Sequence, residues 1–277
     1  MSKKTKSILI NIPIVTALSI LALIMLVPVI WTILSAFKMD GEIIRFPPTF
    51  IPHKFTLANI GKVQSRLNIW TLMKNSVIYA LGQTIPSLIV NSLAGYAFAR
   101  YEFKGKNVIF LVYLATMMIP FQVIMIPRFL EVNALGMYNR YTGLIIPQIA
   151  NAYWVFMMRS AFEGLPRELE EAARIDGLSE FGIYARIMIP QIKPALITLI
   201  VLNINGSWND LLWPLIVTSS NNMKTLSNGL ALFIGTGTEQ YGAAFMGGAI
   251  SLLPMIVLYI FGQKYFVEGQ VTSGLKG

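Results

Sequence analysis

The sequence predicts an all-α, polytopic membrane protein with six transmembrane helices and one long helical loop on the cytoplasmic side. Three observations predict it. Of 277 residues, 55% are hydrophobic and only 13% charged, against roughly 25% charged in a soluble domain. The apolar residues gather into six blocks long enough to span, since a hydrocarbon core ~30 Å thick needs ~20 residues rising ~1.5 Å each. Lys and Arg are weighted toward the segments that an inside N-terminus places in the cytoplasm.

The first span, roughly 11–36, follows Lys3, Lys4 and Lys6. Its apolar run is too long for a signal peptide, and no small-residue cleavage site comes before Lys38, so it reads as a retained helix. The outer segment 37–72 carries Pro47, Pro48, Pro52 and mixed charges, and has room for a small substructure. Spans at roughly 73–98, 107–127, 141–161, 194–217 and 243–264 follow, with an inner loop at 163–190 and a tail at 265–277. Glycines 242, 247 and 248 and Pro254 read as close packing and a kink in the last span. One transmembrane domain covers 1–277, without an internal repeat. An even number of spans puts both termini on one side, and the basic residues place that side in the cytoplasm. The net charge of +9 then reads as loops facing anionic lipid, not nucleic acid.

Several chemistries are excluded. Without cysteine there are no disulfides or thiolate metal sites. The single histidine, His53, lies in a loop-like stretch and reads as solvated. No GxxxxGK[ST] phosphate loop occurs, because Gly61-Lys62 and Gly105-Lys106 lack the leading glycine and the following Ser or Thr. No nucleophile–base pair appears. The chain is expected to be no enzyme and to bind no metal or cofactor.

The inner loop is the most informative segment. Pro166 suits a first helical turn, and Glu168, Glu170 and Glu171 favour the positive end of a helix dipole. Ala172 and Ala173 promote helix, and Gly177 can take positive φ and stop it. That predicts a helix of about ten residues, ~15 Å long. Ser179 can cap a second helix ending near Pro190. Leu165, Leu169, Ala172, Ala173 and Asp176 form a narrow stripe of mostly small side chains. A helix lying on lipid needs bulky apolar and basic residues; alanines and carboxylates favour docking on a protein.

Glu171, Ala172, Ala173, Asp176, Gly177, Ile187 and Pro190 resemble the EAA loop of ATP-binding-cassette importer permeases. Its form is EAA, three residues, G, nine residues, I, one residue, LP, and the one departure is Ile189 in place of Leu. The resemblance implies a type I importer permease fold in which this loop couples to a cleft of a separate ATPase subunit. ATP and magnesium are then bound by partner subunits, not by this chain.

Trp208-Asn209-Asp210-Leu211-Leu212-Trp213-Pro214-Leu215 resembles the WNxFLWPL segment of permeases in carbohydrate uptake family 1, the maltose-type group, with Leu211 replacing Phe. The stretches Asn91–Arg100 and Gln263–Gly277 are similar to the same group, and the likeness covers roughly 70–277. It implies the shorter, second permease of a heterodimer, two ATPase subunits, and an extracytoplasmic binding protein that delivers an oligosaccharide. The implied location is a bacterial cell membrane. The wider likeness is to raffinose and multiple-sugar permeases of Gram-positive bacteria. The tail residues Gly274, Leu275, Lys276 and Gly277 match a segment that reaches the ATPase dimer.

Within the fifth span, Asn203, Asn205, Ser207, Asn209 and Asp210 crowd the outer half. A charge at mid-bilayer costs ~2.5–3.5 kcal/mol on insertion scales, so it should face protein or water. Pro214 removes the helical donor to the Asp210 carbonyl. Asn205, Trp208, Asn209, Asp210 and Trp213 are therefore candidate path residues, the two indoles offering faces to a sugar. Interfacial anchoring fits the tryptophans as well. Gln83, Thr84, Gln122, Gln148 and Asn151 read either as path residues or as interhelical hydrogen-bonding groups. Two rivals remain. A glycerol-3-phosphate importer of the same fold would need cations, and no span supplies one. A secondary transporter or channel would favour repeats and several intramembrane ionisable residues, of which Asp210 alone qualifies.

Overall fold

A computed structural model describes residues 3–235 and 240–274, with side chains over 13–235 and 240–262. No strand occurs among the described residues. Among the described residues, three helices are long and apolar enough to cross a membrane: Pro13–Ala36, Ile69–Arg100 and Tyr241–Gly262. Two more segments qualify if each bent helix pair counts as one broken span. Lys106–Met118 meets Phe121–Ala134 at 103°, and Glu180–Gln191 meets Lys193–Asn209 at 80°. The chain divides into two compact units.

The first unit comprises residues 1–69 and 232–253. Its helix α1 (Lys3–Ala36) is followed by a folded outer segment holding α2 (Asp40–Ile43) and α3 (Ala58–Leu67). Asn59 of α3 is wholly buried and donates to the carbonyls of Ala36 and Lys38, both at 2.8 Å, closing the end of α1. Lys38 is also buried; its ammonium bonds the Thr49 carbonyl and lies 4.2 Å from the Trp31 ring centroid. Asp40 pairs with Lys62 at 2.6 Å and accepts from the Gly242 backbone N–H at 2.7 Å. Gly242 is needed there, because a Cβ would stand 2.4 Å from the Asn59 amide.

The second unit comprises residues 70–231 and 254–277. The long helix α4 (Ile69–Arg100) is its spine. The expected span 107–127 is instead α5 (Lys106–Ala115) with a 3₁₀ turn to Met118, a break at Ile119-Pro120, and α6 (Phe121–Ala134). The expected span 141–161 is also divided. α7 (Tyr141–Ile145) runs into a 3₁₀ turn, Ile146–Gln148, and α8 (Ala152–Glu163) begins afresh after Asn151. Asn151 caps α8 by accepting from the Tyr153 N–H at 2.9 Å. Asn91 of α4, wholly buried, bridges the gap: it donates to the Ile149 carbonyl at 2.9 Å and accepts from the Asn151 N–H at 3.0 Å. Broken backbone at membrane depth requires such internal partners.

α9 (Glu168–Ile175) and α10 (Glu180–Gly182) follow, then a π-helical turn, Ile183–Met188, and α11 (Ile189–Gln191). The expected fifth span is α12 (Lys193–Asn209) and α13 (Leu212–Val217), separated at Asp210-Leu211. α14 (Leu226–Gly235) and α15 (Tyr241–Gly274) complete the chain. Gly274 ends α15, while Leu275, Lys276 and Gly277 lie outside the described residues.

Candidate functional site: a clamped helix and a polar helix break

α9 is shorter than expected, eight residues, and Pro166 lies ahead of its cap Arg167 instead of in its first turn. Its end is as expected. Gly177 has φ +80°, its N–H bonds the Arg174 carbonyl, and the Leu178 N–H bonds the Ala173 carbonyl, both at 3.0 Å. This is the Schellman pattern, which needs a left-handed residue past the helix end. Ser179 caps α10 by accepting from the Gly182 N–H.

The face that α9 buries keeps Leu165, Leu169 and Ala173 of the predicted stripe but leaves Ala172 and Asp176 exposed and adds Glu170. Ala173 and Glu170 are each 4% exposed, with Leu165 packed beside them. The Glu170 carboxylate accepts from the Tyr96 hydroxyl at 2.6 Å and lies 3.4 Å from Arg100 Nε. Arg100 also donates to the Leu165 carbonyl at 2.8 Å, at the entry to the helix. Tyr96 sits edge-on to Phe162, and Tyr184 reaches back to Ser92 at 2.7 Å. α9 is thus clamped to the last turns of α4, to α8 and to the π-helical turn. Glu168, Glu171, Ala172, Ile175 and Asp176 face outward, Ile175 being 86% exposed, and Phe181 is 70% exposed nearby. Ile187 is half-buried against the cluster and Pro190 is exposed. Arg174 closes the turn beyond α9 with a two-pronged bond to Glu180 at 2.7 and 3.1 Å, and Tyr101 adds a third at 2.9 Å.

Two adjacent glutamates therefore do different things. Glu171, the motif residue, is free on the surface; Glu170 is the internal anchor. Sequence reasoning missed Glu170, Tyr96 and Arg100. The available signal was Tyr96 and Arg100 at i, i+4 spacing, which puts both on one face of α4.

The second candidate group separates into two sets. Trp208 is 3% exposed and Trp213 wholly buried, its indole N–H bonded to the Gly143 carbonyl at 3.1 Å. Neither indole offers a face to a ligand, contrary to the expectation above, because both are buried within the chain. Asp210 is extended (φ −66°, ψ 121°) between α12 and α13. Its carboxylate accepts from the Tyr79 hydroxyl at 2.8 Å and the Trp213 N–H at 3.3 Å, satisfying the break. Asn205 and Asn209 are exposed together with Leu202 and Gly206 along one face of α12, and Asn209 donates to Asn205. Gln83 and Asn203 bond each other at 2.9 Å, an interhelical pair. Arg128, one residue past the expected span 107–127, is half-buried on α6, beyond the bend that sequence reasoning did not foresee.

Residues 91–269 match the family described as the inner membrane component of binding-protein-dependent transport systems. The chain belongs to that family. It is a membrane permease of an ATP-binding-cassette importer, and it is no enzyme. This permease is 38% identical, over all of both chains, to the arabinooligosaccharides transport system permease protein of Halalkalibacterium halodurans. It is 32% identical to the lactose transport system permease protein of Rhizobium radiobacter, covering 93% of this chain and 94% of that one. A crystal structure of a bacterial ATP-binding-cassette transporter involved in import of the acidic polysaccharide alginate contains a chain that matches with a TM-score of 0.83 and 26% identity, over 96% of this chain and 99% of the other.

Proposed function

We propose that this permease is one half of a heterodimer that carries an oligosaccharide across a bacterial cell membrane. An extracytoplasmic binding protein delivers the sugar, and two ATPase subunits, which hold ATP and magnesium, drive alternating access. The observation that carries the docking role is the two-sided α9: one face is clamped through Glu170 and Ala173, and the other presents Glu168, Glu171, Ala172, Ile175 and Asp176. A partner seated on the free face would push on α4 and α8 directly, because the clamp leaves no slack between them. Residues 163–190 and both termini are then cytoplasmic, in line with the excess of Lys and Arg there. The tail from Gly274 is a second ATPase contact.

The sugar class rests on the names carried by the relatives and on the polar face of α12. Asn205 and Asn209 are uncharged groups able both to donate and to accept, placed where the chain itself leaves them uncovered. Polar side chains at membrane depth face a partner or a water-filled path.

The test is co-purification of the ATPase with the Glu171→Ala, Ile175→Asp double variant, together with ATP-driven uptake in proteoliposomes. Loss of both is expected. Undiminished binding and uptake would sink the docking role, and uptake that persists without any ATPase would favour a secondary transporter.

A further inference from the structure

We propose that Arg128, Gln148 and Asp210 form a subsite for a neutral saccharide on this chain, an inference that rests on the permease reading above. Arg128 projects from α6 with its guanidinium carbon 5.7 Å from the Trp213 ring centroid. Its hydrogen bond among the described residues is a long one, 3.4 Å, to Gln148 Oε1. None of the ion pairs among the described residues includes it. A guanidinium carries five N–H donors in a fixed fork, and among the described residues only the long bond to Gln148 uses one of them. A charge in a spanning segment costs ~2.5–3.5 kcal/mol on insertion scales and is retained where it meets a partner or a water-filled path.

The surroundings fit a site. Asp210 borders the same Trp213, at its backbone N–H, while Arg128 covers its ring. Arg128 is also within electrostatic reach of Tyr79, whose hydroxyl bonds Asp210. Two of the three proposed groups sit at broken backbone. Gln148 ends the 3₁₀ turn before the gap at 149–151 and Asp210 lies in the break between α12 and α13, while Arg128 reaches them from within α6. Discontinuous helices at membrane depth are where transport proteins place substrate sites.

Charge selects the ligand class. The guanidinium and the Asp210 carboxylate do not pair with each other, so the site offers a donor fork and a separate acceptor. Neighbouring hydroxyls on a sugar ring can serve both, each accepting at Arg128 and donating to Asp210. An acidic sugar would gain at Arg128 and be repelled at Asp210.

The test uses the whole transporter in proteoliposomes, with uptake of a neutral arabinose trisaccharide and of an alginate trisaccharide measured beside binding-protein-stimulated ATP hydrolysis. Arg128→Lys and Gln148→Ala are expected to cut neutral-sugar uptake at least tenfold while stimulated hydrolysis stays within twofold. The lysine keeps the charge and loses the fork, so a role confined to folding or charge balance would survive it. Wild-type uptake by Arg128→Lys overturns the subsite. Preferred uptake of the alginate trisaccharide that is lost in Arg128→Lys overturns the neutral class. A defect that tracks the phosphatidylglycerol content of the vesicles, and not the sugar, overturns the proposal in favour of a lipid phosphate. A wild-type complex with no ATP-driven uptake of either sugar counts against the oligosaccharide reading itself, separately from the subsite.

Discussion

Replacing Glu170 with alanine removes a carboxylate that is 4% exposed and holds α9 to two residues of α4. A hydrogen bond to a charged group contributes ~1.5–3 kcal/mol, and truncating one partner of a buried ion pair costs ~3–5 kcal/mol because the other charge is stranded. The Arg100 side chain is only 6% exposed, so water cannot rescue it. Both interactions pass through one carboxylate and do not add, which leaves ~3–5 kcal/mol as the cost of Glu170→Ala. At ~1.4 kcal/mol per tenfold, α9 should detach roughly 100- to 3,000-fold more often. Hydrogen exchange of residues 168–178 in the permease without its ATPase reads this directly, as a fall in protection of that size. Transport should fall while the ATPase still hydrolyses, because the helix can dock without moving α4. Glu171→Ala is the control, since a surface substitution stays within ~0.5 kcal/mol. Unchanged exchange in Glu170→Ala, or an equal rise in Glu171→Ala, would refute the division of labour between the two residues.

Three further outcomes are expected. Asn91→Leu strands the Ile149 carbonyl and the Asn151 N–H at ~1–3 kcal/mol each, so the melting temperature in detergent should drop by several degrees; an unchanged value would show that the gap finds other partners. Gly95→Ala puts a Cβ 2.5 Å from Met158 Cβ and 2.8 Å from the Arg159 nitrogen, and should destabilise by ~1–3 kcal/mol through overpacking. Gly206→Ala has nothing within 4 Å, so it should leave the isolated chain as stable as before, and chemical denaturation of both variants separates them. Glu42 accepts from the His53 N–H and the Thr49 hydroxyl, and the first of these chiefly holds its carboxyl below the usual 4.5. A lowered folded-state value means stability that is full above 4.5 and lost as pH falls through the lowered value. Exchange protection of residues 42–53 should therefore weaken in acid in the wild type, and Glu42→Gln should abolish that dependence.

The inner loop was legible in the sequence because its signals are local. Gly177 and Ser179 each act through backbone a few residues away, and both behave as expected. Which side of α9 would be buried was not legible. Leu165, Leu169, Ala172 and Ala173 suggest one stripe, but the partners that decide, Tyr96 and Arg100, come from a helix some seventy residues earlier. They accept a glutamate inward and leave Ala172 and Ile175 outside. The same limit applies to the path. Composition identifies Trp208, Asp210 and Trp213 as unusual within a span, and only the fold shows that both indoles are buried and that Asp210 bonds the break before α13.

Taken alone, the sequence determined that the chain is helical, that it belongs in a membrane, and that a short acidic helix in the 163–190 loop stops at Gly177. Each of these depends on hydropathy, charge or turn chemistry read within about one helix length. The tertiary structure decided where spans break and which polar groups repair them. Proline and asparagine permit a break at 149–151, yet the break is tolerable only because Asn91 arrives from α4 to bond both exposed ends. It also decided that Arg128 and Asp210 border the same tryptophan without neutralising each other. That juxtaposition joins α6 to the break before α13, some eighty residues apart, and no local pattern encodes it.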